Sequence, residues 1–152
     1  MQACGPGVER LAEEVLQRFP EARFGVFSSD TVASPGSAET FVSSVIAGEV
    51  DIIIGTQMVA KGHHFPNLTL VGIVDADLGL AGGDLRAAER SFQMLAQVAG
   101  RAGRAEQPGL AMLQTVDSDN AVMQALLSGN RDAFLKSESE ARRLSAMPPY
   151  SR

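Results

Sequence analysis

Four arginines and two glutamines are spaced so that they share one face of a predicted helix and of the turn that follows it. They follow one another at intervals of four, three, four, four and three residues: Arg86, Arg90, Gln93, Gln97, Arg101 and Arg104. Such intervals keep side chains on one side of a helix. Guanidinium groups are forked donors that match phosphate oxygens and stay protonated at neutral pH. This arginine stripe predicts an anionic partner.

Two glycines lie at the end of the arginine stripe. Gly100 and Gly103 flank Arg101, and a glycine costs about 1 kcal/mol relative to alanine inside a helix. Close approach of the backbone to a ligand would compensate for that cost. The alternative is a solvated helix face that ends in a glycine turn, with Glu89 or Glu106 pairing locally with the arginines.

A second candidate site follows an apolar run. The run DIIIGT (51–56) is hydrophobic on both faces and continues into QMVAKGHH (57–64). Strands of a buried parallel sheet have this composition, and open α/β sheets bind ligands at the carboxyl ends of their strands. Thr56, Gln57 and Lys61 are therefore candidates to hold phosphates. The alternative is a glycine-bounded loop with one exposed lysine.

The remaining candidates concern metals. Asp75 and Asp77 follow an apolar run, where paired carboxylates suit Mg²⁺, although such acids more often cap a turn. His63 and His64 are adjacent and no third ligand is near them in the sequence, so we expect no metal site. The pattern Gly-x-x-x-x-Gly-Lys-Ser/Thr does not occur, so we expect no ATP hydrolysis by this chain alone.

Strand-length apolar runs alternate with segments of helical period, which predicts an α/β fold around a parallel sheet. Strands are predicted over 23–27, 51–56, 68–74 and 110–115. Helices are predicted over 8–19, 85–99, 121–127 and 132–144, with another that contains Phe41 and ends at Gly48.

Composition excludes several classes of protein. The 152 residues are 45% hydrophobic and 20% charged, which suits one soluble globular domain. A net charge of −5 argues against binding nucleic acid or membranes by bulk attraction and leaves only a local basic patch. The lone Cys4 excludes an intrachain disulfide and fits a cytoplasmic location. The sequence has neither a signal peptide nor 18 consecutive apolar residues, so we expect no membrane association.

Two longer stretches resemble helicase motifs. GTQMVAKGHHFPNLTLVGIVDADLGL (55–80) and ERSFQMLAQVAGRAGR (89–104) resemble motifs V and VI of superfamily 2 helicases. They are most similar to those of the bacterial replication-restart helicases of the PriA family. CGPGVERLAEEV (4–15) and RRLSAMPPYS (142–151) are also similar to that family, so the resemblance covers nearly the whole chain.

The resemblance implies a second RecA-like helicase lobe, a three-layer α/β sandwich with a mainly parallel sheet. It places this lobe, with motifs IV to VI, at 1–130 and the start of a C-terminal region at 131–152. Both ends of the chain look cut, and we expect an excised domain. In the family, the triphosphate cradle, the Mg²⁺-binding acid and a zinc module lie N-terminal to this segment.

The resemblance also implies roles for individual residues. In motif VI, Arg101 and Arg104 would be the catalytic residues that reach the phosphates of the nucleotide, and Gln97, Gly100 and Gly103 would help to bind it. Motif V begins at Gly55. Its DNA-binding residues would be Thr56, on the phosphodiester backbone, with Gln57, Lys61 and Gly62.

The activity implied by the resemblance is that of a 3′→5′ ATP-dependent DNA helicase in replication restart and primosome assembly. Its cofactors would be ATP and Mg²⁺, bound mainly by the first lobe, with zinc elsewhere in the parent protein. Its partners would be single-stranded and forked DNA, the N-terminal lobe of the same chain and other primosome proteins.

Two other functions stay open on the residues alone. The first is a stand-alone α/β interaction or nucleotide-sensing domain, in which the arginine stripe docks an acidic protein surface. The second is a Mg²⁺-dependent phosphotransfer enzyme that uses Asp75 and Asp77.

Overall fold

The computed structural model describes residues 7–28, 35–56, 65–80, 86–103 and 108–150. Helices and strands alternate along most of this length, which confirms the predicted α/β fold. In chain order, the elements are α1 (Val8–Arg18), β1 (Phe24–Phe27), α2 (Pro35–Ile46), β2 (Ile52–Gly55), β3 (Leu70–Ile73), α3 (Ala87–Ala99), β4 (Leu110–Leu113), α4 (Ala121–Ser128) and α5 (Arg131–Leu144).

The strands pair two by two. β1 and β2 are parallel, with Phe24 opposite Ile52. β3 pairs with β4. The Leu110 amide donates to the Thr69 carbonyl (2.8 Å), and the Gln114 amide donates to the Ile73 carbonyl (2.9 Å). From the first bond to the second, donor and acceptor both move toward the C-terminus by the same number of residues. That equal advance is the pattern of a parallel pair.

The described residues form two compact units. The first lies within Met1–Gly72 and Gln97–Met112, and the second within Ile73–Ala96 and Leu113–Arg152. The predicted division at residue 130 stays a prediction. Among the described residues, no helix is long and apolar enough to cross a membrane.

The first unit has an aromatic centre beside β1. Phe27 is completely buried, and its ring lies 5.1 Å from that of Phe41 on α2. Gly25 makes this packing possible, because a Cβ at that position would come within 2.5 Å of the Phe41 ring. The small residue in β1 therefore lets α2 approach the strand.

A bidentate ion pair joins the starts of β1 and β2. Arg23 Nε and Nη2 donate to the two carboxylate oxygens of Asp51 at 2.9 and 2.7 Å. The Asp51 amide donates to the Arg23 carbonyl at 2.7 Å, and the Arg23 amide donates to the Asp51 carboxylate at 2.9 Å. The guanidinium of Arg23 lowers the pKa of Asp51 to about 2.

The second unit has its own apolar core. Its buried members are Ala76, Phe92, Leu95, Val122, Met123, Ala125 and Phe134. Phe92 of α3 and Phe134 of α5 stack at 4.7 Å. Asn120 and Asn130 cap α4 and α5, because their side-chain oxygens accept from the Val122 and Ala133 amides, each at 3.0 Å.

The observed elements differ from the predicted ones at their ends. Each strand among the described residues is four residues long, for example Ile52–Gly55 where 51–56 was predicted. Helix α2 begins earlier than its apolar residues indicate, at Pro35. Proline is well suited to the first turn, where the missing N–H has no partner to lose.

Candidate functional site

The motif V segment begins on β2. The strand runs through Ile54, which is 3% exposed, and ends at Gly55. Thr56 follows directly and is exposed. The hydroxyl side chain of Thr56 therefore lies at the carboxyl end of a buried apolar strand, as the sequence predicts. Gln57, Lys61 and Gly62 lie outside the described residues, and their predicted DNA-binding role stays a prediction.

The motif VI segment follows from α3 into a tight turn. Gln97 is exposed on the last turn of the helix, which ends at Ala99. The amide of Arg101 then donates to the Val98 carbonyl (3.0 Å) and the amide of Ala102 to the Ala99 carbonyl (3.2 Å). These bonds to the third preceding residue tighten the backbone, so Arg101 lies just beyond the helix rather than on it.

Gly103 fixes the direction of the chain after this turn. Its φ of +73° is a left-handed conformation that favours glycine. Its amide donates to the Leu68 carbonyl (3.0 Å), just before β3. A Cβ at Gly103 would overlap the backbone nitrogen of Gly109. The glycine therefore serves close approach of two backbone segments, and its predicted close approach to a ligand stays a prediction.

One cavity brings the two motifs together within the first unit. It has a volume of about 480 Å³, and both Thr56 and Arg101 line it. Such a volume is typical of ligand pockets. The structure thus places one predicted DNA-binding residue and one predicted catalytic residue on the wall of the same cavity. Gln97, Gly100 and Gly103 are not among its lining residues.

The rest of the cavity wall is mainly apolar. Asp51, Asn67, Thr56 and Arg101 supply polar or charged groups. Aliphatic and aromatic residues line much of the remaining wall: Leu11, Val15, Val45, Val50, Ile52, Ile53, Ile54, Phe65, Leu68, Leu70, Val71 and Val98. A phosphate site alone does not account for so much apolar surface.

The N-terminal part of the arginine stripe lies on an exposed face of α3. Arg90 and Gln93 are exposed, whereas Phe92 and Leu95 are buried. Arg86 is also exposed, and its carbonyl accepts the Arg90 amide at 2.9 Å. This part of the arginine stripe therefore lies on the exposed side of α3, away from the buried Phe92 and Leu95. Arg104 lies outside the described residues.

One alternative interpretation of the arginine stripe expected Glu89 to form an ion pair with an arginine of the stripe. The structure pairs Glu89 with Arg142 of α5 at 3.1 Å. Arg142 also reaches Glu138 at 3.2 Å, and its side chain is only 13% exposed. Glu89 therefore helps to hold α3 against α5 in the second unit.

The two aspartates after β3 have different surroundings. Both carboxylate oxygens of Asp77 accept hydrogen bonds, one from the Thr115 hydroxyl (2.7 Å) and one from the Val116 amide (2.9 Å). Asp75 adopts a φ of +54°. Among the described residues, no three His, Cys, Asp or Glu side chains form a group suited to a metal. The geometry gives Asp77 a turn-holding role.

Two residues that shape the site, Gly109 and Leu68, are not among the residues predicted from the sequence. Gly109 contacts Gly103 from six positions further on, and the Leu68 carbonyl accepts the Gly103 amide across the fold. The Pro108-Gly109 pair after the arginine-rich turn was the available clue, since such pairs mark sharp turns.

The class of protein follows from comparison with known families. Residues 8–106 match the helicase conserved C-terminal domain. This match spans both motif segments and covers well over half of the chain. The chain therefore belongs to the family of helicase conserved C-terminal domains.

Among individual proteins, the chain is similar to replication restart protein PriA from several bacteria. It is 47% identical to the Rickettsia conorii protein over 149 residues, which is 98% of this chain and 23% of the relative. Identity to the Bacillus subtilis protein is 41% over 146 residues, 96% of this chain and 18% of the relative.

The same similarity extends to the PriA of Haemophilus influenzae, with 40% identity over 147 residues, 97% of this chain and 20% of the relative. These values confirm the resemblance to the PriA family. The chain spans about a fifth of the length of these curated relatives.

Proposed function

We propose that this chain is the second RecA-like lobe of a PriA-like 3′→5′ ATP-dependent DNA helicase that acts in replication restart and primosome assembly. The family match over 8–106 and the similarity to PriA proteins over nearly the whole chain support this function. The lobe works within a longer protein and is inactive alone, since its sequence lacks a triphosphate cradle.

In this proposal the motif VI residues act on ATP. Arg101 and Arg104 reach the phosphates of a nucleotide whose Mg²⁺ and triphosphate are held mainly by the N-terminal lobe. A guanidinium there stabilises the charge that develops during phosphoryl transfer, an effect worth about 10³-fold or more in rate. Gln97, Gly100 and Gly103 contribute to nucleotide binding around them.

The motif V residues contact DNA. Thr56 donates its hydroxyl to the phosphodiester backbone, together with Gln57, Lys61 and the backbone at Gly62. Contacts of this kind do not depend on base sequence and weaken as salt rises. They suit single-stranded and forked DNA, the nucleic acid partners in this proposal.

The observation that carries the proposal is the shared cavity of Thr56 and Arg101. In this proposal, a DNA-contacting residue and a nucleotide-contacting residue line the same cavity. A movement caused by ATP hydrolysis therefore has only a short distance to travel to the DNA contact. The two lobes would close when ATP binds and reopen after hydrolysis. Both movements would then change how tightly Thr56 binds the DNA strand.

The remaining partners belong to the longer protein. They are the N-terminal helicase lobe of the same chain and other primosome proteins, and the parent carries zinc outside this chain. We place its work in the cytoplasm, where bacterial chromosomal DNA lies.

Strand displacement on forked DNA tests this function. With ATP and Mg²⁺, the full-length protein is expected to move 3′→5′ along one DNA strand and to unwind a fork that offers that polarity. A fork of the opposite polarity is the matched control, and this chain alone should unwind neither. Equal unwinding of both forks, or none by the full-length protein, would contradict the proposal.

A further inference from the structure

We propose that the exposed side of α3 contacts the phosphodiester backbone of duplex DNA, in addition to the contact proposed for motif V. We call this surface the α3 face and define it by Arg86, Arg90 and Gln93. These are the residues of the arginine stripe to which the proposed function gives no role. The inference rests on the proposed function in taking DNA as the substrate of the full-length protein.

The three residues of the α3 face lie on one side of the helix, opposite its buried side. The Arg90 amide donates to the Arg86 carbonyl at 2.9 Å, so Arg86 continues the helical register. Arg86, Arg90 and Gln93 are exposed, whereas Phe92 and Leu95 are buried. At a rise of about 1.5 Å per residue, the α3 face extends about 10 Å along the helix axis. The α3 face therefore offers a row of donors to solvent.

The α3 face is positively charged, although the chain as a whole has a net charge of −5. Glu89 is the only acid within α3, and its carboxylate pairs with Arg142 of α5 at 3.1 Å. The acid of the helix therefore serves the packing of α3 against α5. Like charges four residues apart on a helix repel each other, as those of Arg86 and Arg90 do. An anionic ligand on the α3 face relieves this repulsion.

The composition of the α3 face favours a nucleic acid over a protein as the ligand. Interfaces between proteins centre on apolar and aromatic anchors. In α3, all of whose residues the structure describes, no large apolar side chain is exposed, and the exposed positions are Arg90, Gln93 and Gln97. Interfaces with DNA are more polar and more positive, and arginine and glutamine both donate to phosphate oxygens. The α3 face therefore matches a phosphodiester backbone.

The place of the aromatic residue in α3 favours duplex over single-stranded DNA. Proteins that bind single strands stack the bases on exposed aromatic side chains. The one aromatic residue of α3 is Phe92, which is 5% exposed and stacks on Phe134 at 4.7 Å. A base therefore finds no aromatic ring on the α3 face. Duplex DNA needs none, because its bases are already stacked and its phosphates lie outside.

DNA binding by the full-length protein without ATP tests the inference. Arg86→Gln combined with Arg90→Gln removes two positive charges and keeps side chains that favour a helix. The matched control combines Arg131→Gln with Arg143→Gln, which removes two charges from exposed arginines of α5. Fluorescence anisotropy gives the Kd for a duplex without single-stranded arms and for a single strand, each over a range of salt concentrations.

The α3 variant is expected to lose affinity for the duplex. At fixed salt its Kd for the duplex should rise about tenfold, with a much smaller change for the single strand. The slope of log K against log salt should become shallower by about 2, because each neutralised phosphate contributes about 0.9. The α5 control should keep the duplex affinity and the slope of wild type.

Unchanged duplex affinity and an unchanged salt slope in the α3 variant would overturn the inference. An equal or larger loss for the single strand would assign the α3 face to that strand and would also overturn it. Wild-type affinity for both DNAs with a lower thermal midpoint would show that the α3 face docks an acidic protein surface instead. A wild-type protein that binds neither DNA would contradict the proposed function itself, so the two failures are distinguishable.

A single charge reversal of sign gives a second readout on the full-length protein. Gln93→Glu keeps the size of the side chain and places a negative charge beside Arg90 on the α3 face. Gln17→Glu, on the exposed side of α1, is the matched control. We expect the Kd for the duplex to rise about tenfold for Gln93→Glu and to stay near wild type for Gln17→Glu. Equal Kd values for the two variants would contradict a phosphate contact at the α3 face.

Discussion

Gly103 and Gly109 meet backbone against backbone where the chain leaves the turn after α3. A Cβ on either residue would overlap the backbone nitrogen of the other. Gly103 also has a φ of +73°. The path of the motif VI segment just beyond Arg101 therefore depends on the absence of two side chains.

Replacement of Gly103 by alanine is expected to destabilise the first unit more than replacement of a glycine in open space. Gly48 has a similar φ of +74°, with nothing near its missing Cβ. Gly48→Ala should cost about 1–2 kcal/mol for the left-handed backbone alone. Gly103→Ala adds overlap with Gly109 and should cost about 3 kcal/mol or more. Urea denaturation followed by circular dichroism measures both, and equal losses would contradict the steric account.

The order of elements follows from the sequence because it depends on local periodicity. Helix α1 (Val8–Arg18) and helix α4 (Ala121–Ser128) each lie within about a residue of their predicted ends. Gly7 and Pro20 flank α1, and the capping Asn120 and Gly129 flank α4. The early start of α2 at Pro35 is harder to predict, since its first turn carries no apolar pattern.

The candidate site depends on contacts between distant segments, and there the sequence is less informative. The hydroxyl of Thr56 at a strand end was predictable from the buried run before it. The role of Gly103 was not predictable from the sequence, because Gly109 contacts it only through close approach of the two backbones. Arg23 and Asp51 are likewise separated by 28 residues, and no spacing rule connects them.

The Arg23–Asp51 pair makes stability depend on pH. The pKa of Asp51 is lowered to about 2, below its ordinary value near 3.9 in an unfolded chain. The carboxylate therefore stabilises the fold above about pH 4. This contribution is lost as pH falls from about 4 toward 2. Unfolding of wild type and Asp51→Asn between pH 2 and pH 6 should show a difference that shrinks in this window.

The control for this prediction removes the partner. In an Arg23→Met background, Asp51→Asn should change stability much less, and the pH dependence of its effect should be absent. If the effect of Asp51→Asn were the same with and without Arg23, another group would be responsible for the lowered pKa.

The two neighbouring arginines of α5 should differ in their contribution to stability. Arg142 is 13% exposed and reaches both Glu89 and Glu138, whereas Arg143 is 59% exposed and reaches Glu140. Arg142→Met leaves two partly buried carboxylates close together and should cost about 2 kcal/mol. Arg143→Met should cost less than about 0.5 kcal/mol. Thermal unfolding compares them, and a larger loss for Arg143 would contradict this assignment.

Loss of the Thr56 hydroxyl is expected to weaken DNA binding without loss of stability. Thr56→Val keeps the shape of an exposed side chain and removes one donor to a phosphate. In the full-length protein, the Kd for single-stranded DNA should rise about fivefold at fixed salt, which corresponds to about 1 kcal/mol. Fluorescence anisotropy measures it. Thr40→Val on α2 is the control, and equal affinities for the two variants would remove Thr56 from the DNA interface.

ATP hydrolysis by the full-length protein, with and without forked DNA, tests the central claim most directly. Arg101→Ala and Arg104→Ala should each lower the DNA-stimulated rate about 10³-fold or more while the thermal midpoint stays near that of wild type. Arg131→Ala, at the exposed start of α5, is the control and should hydrolyse ATP normally. Near-wild-type turnover by the Arg101 and Arg104 variants would show that these arginines do not act on the nucleotide.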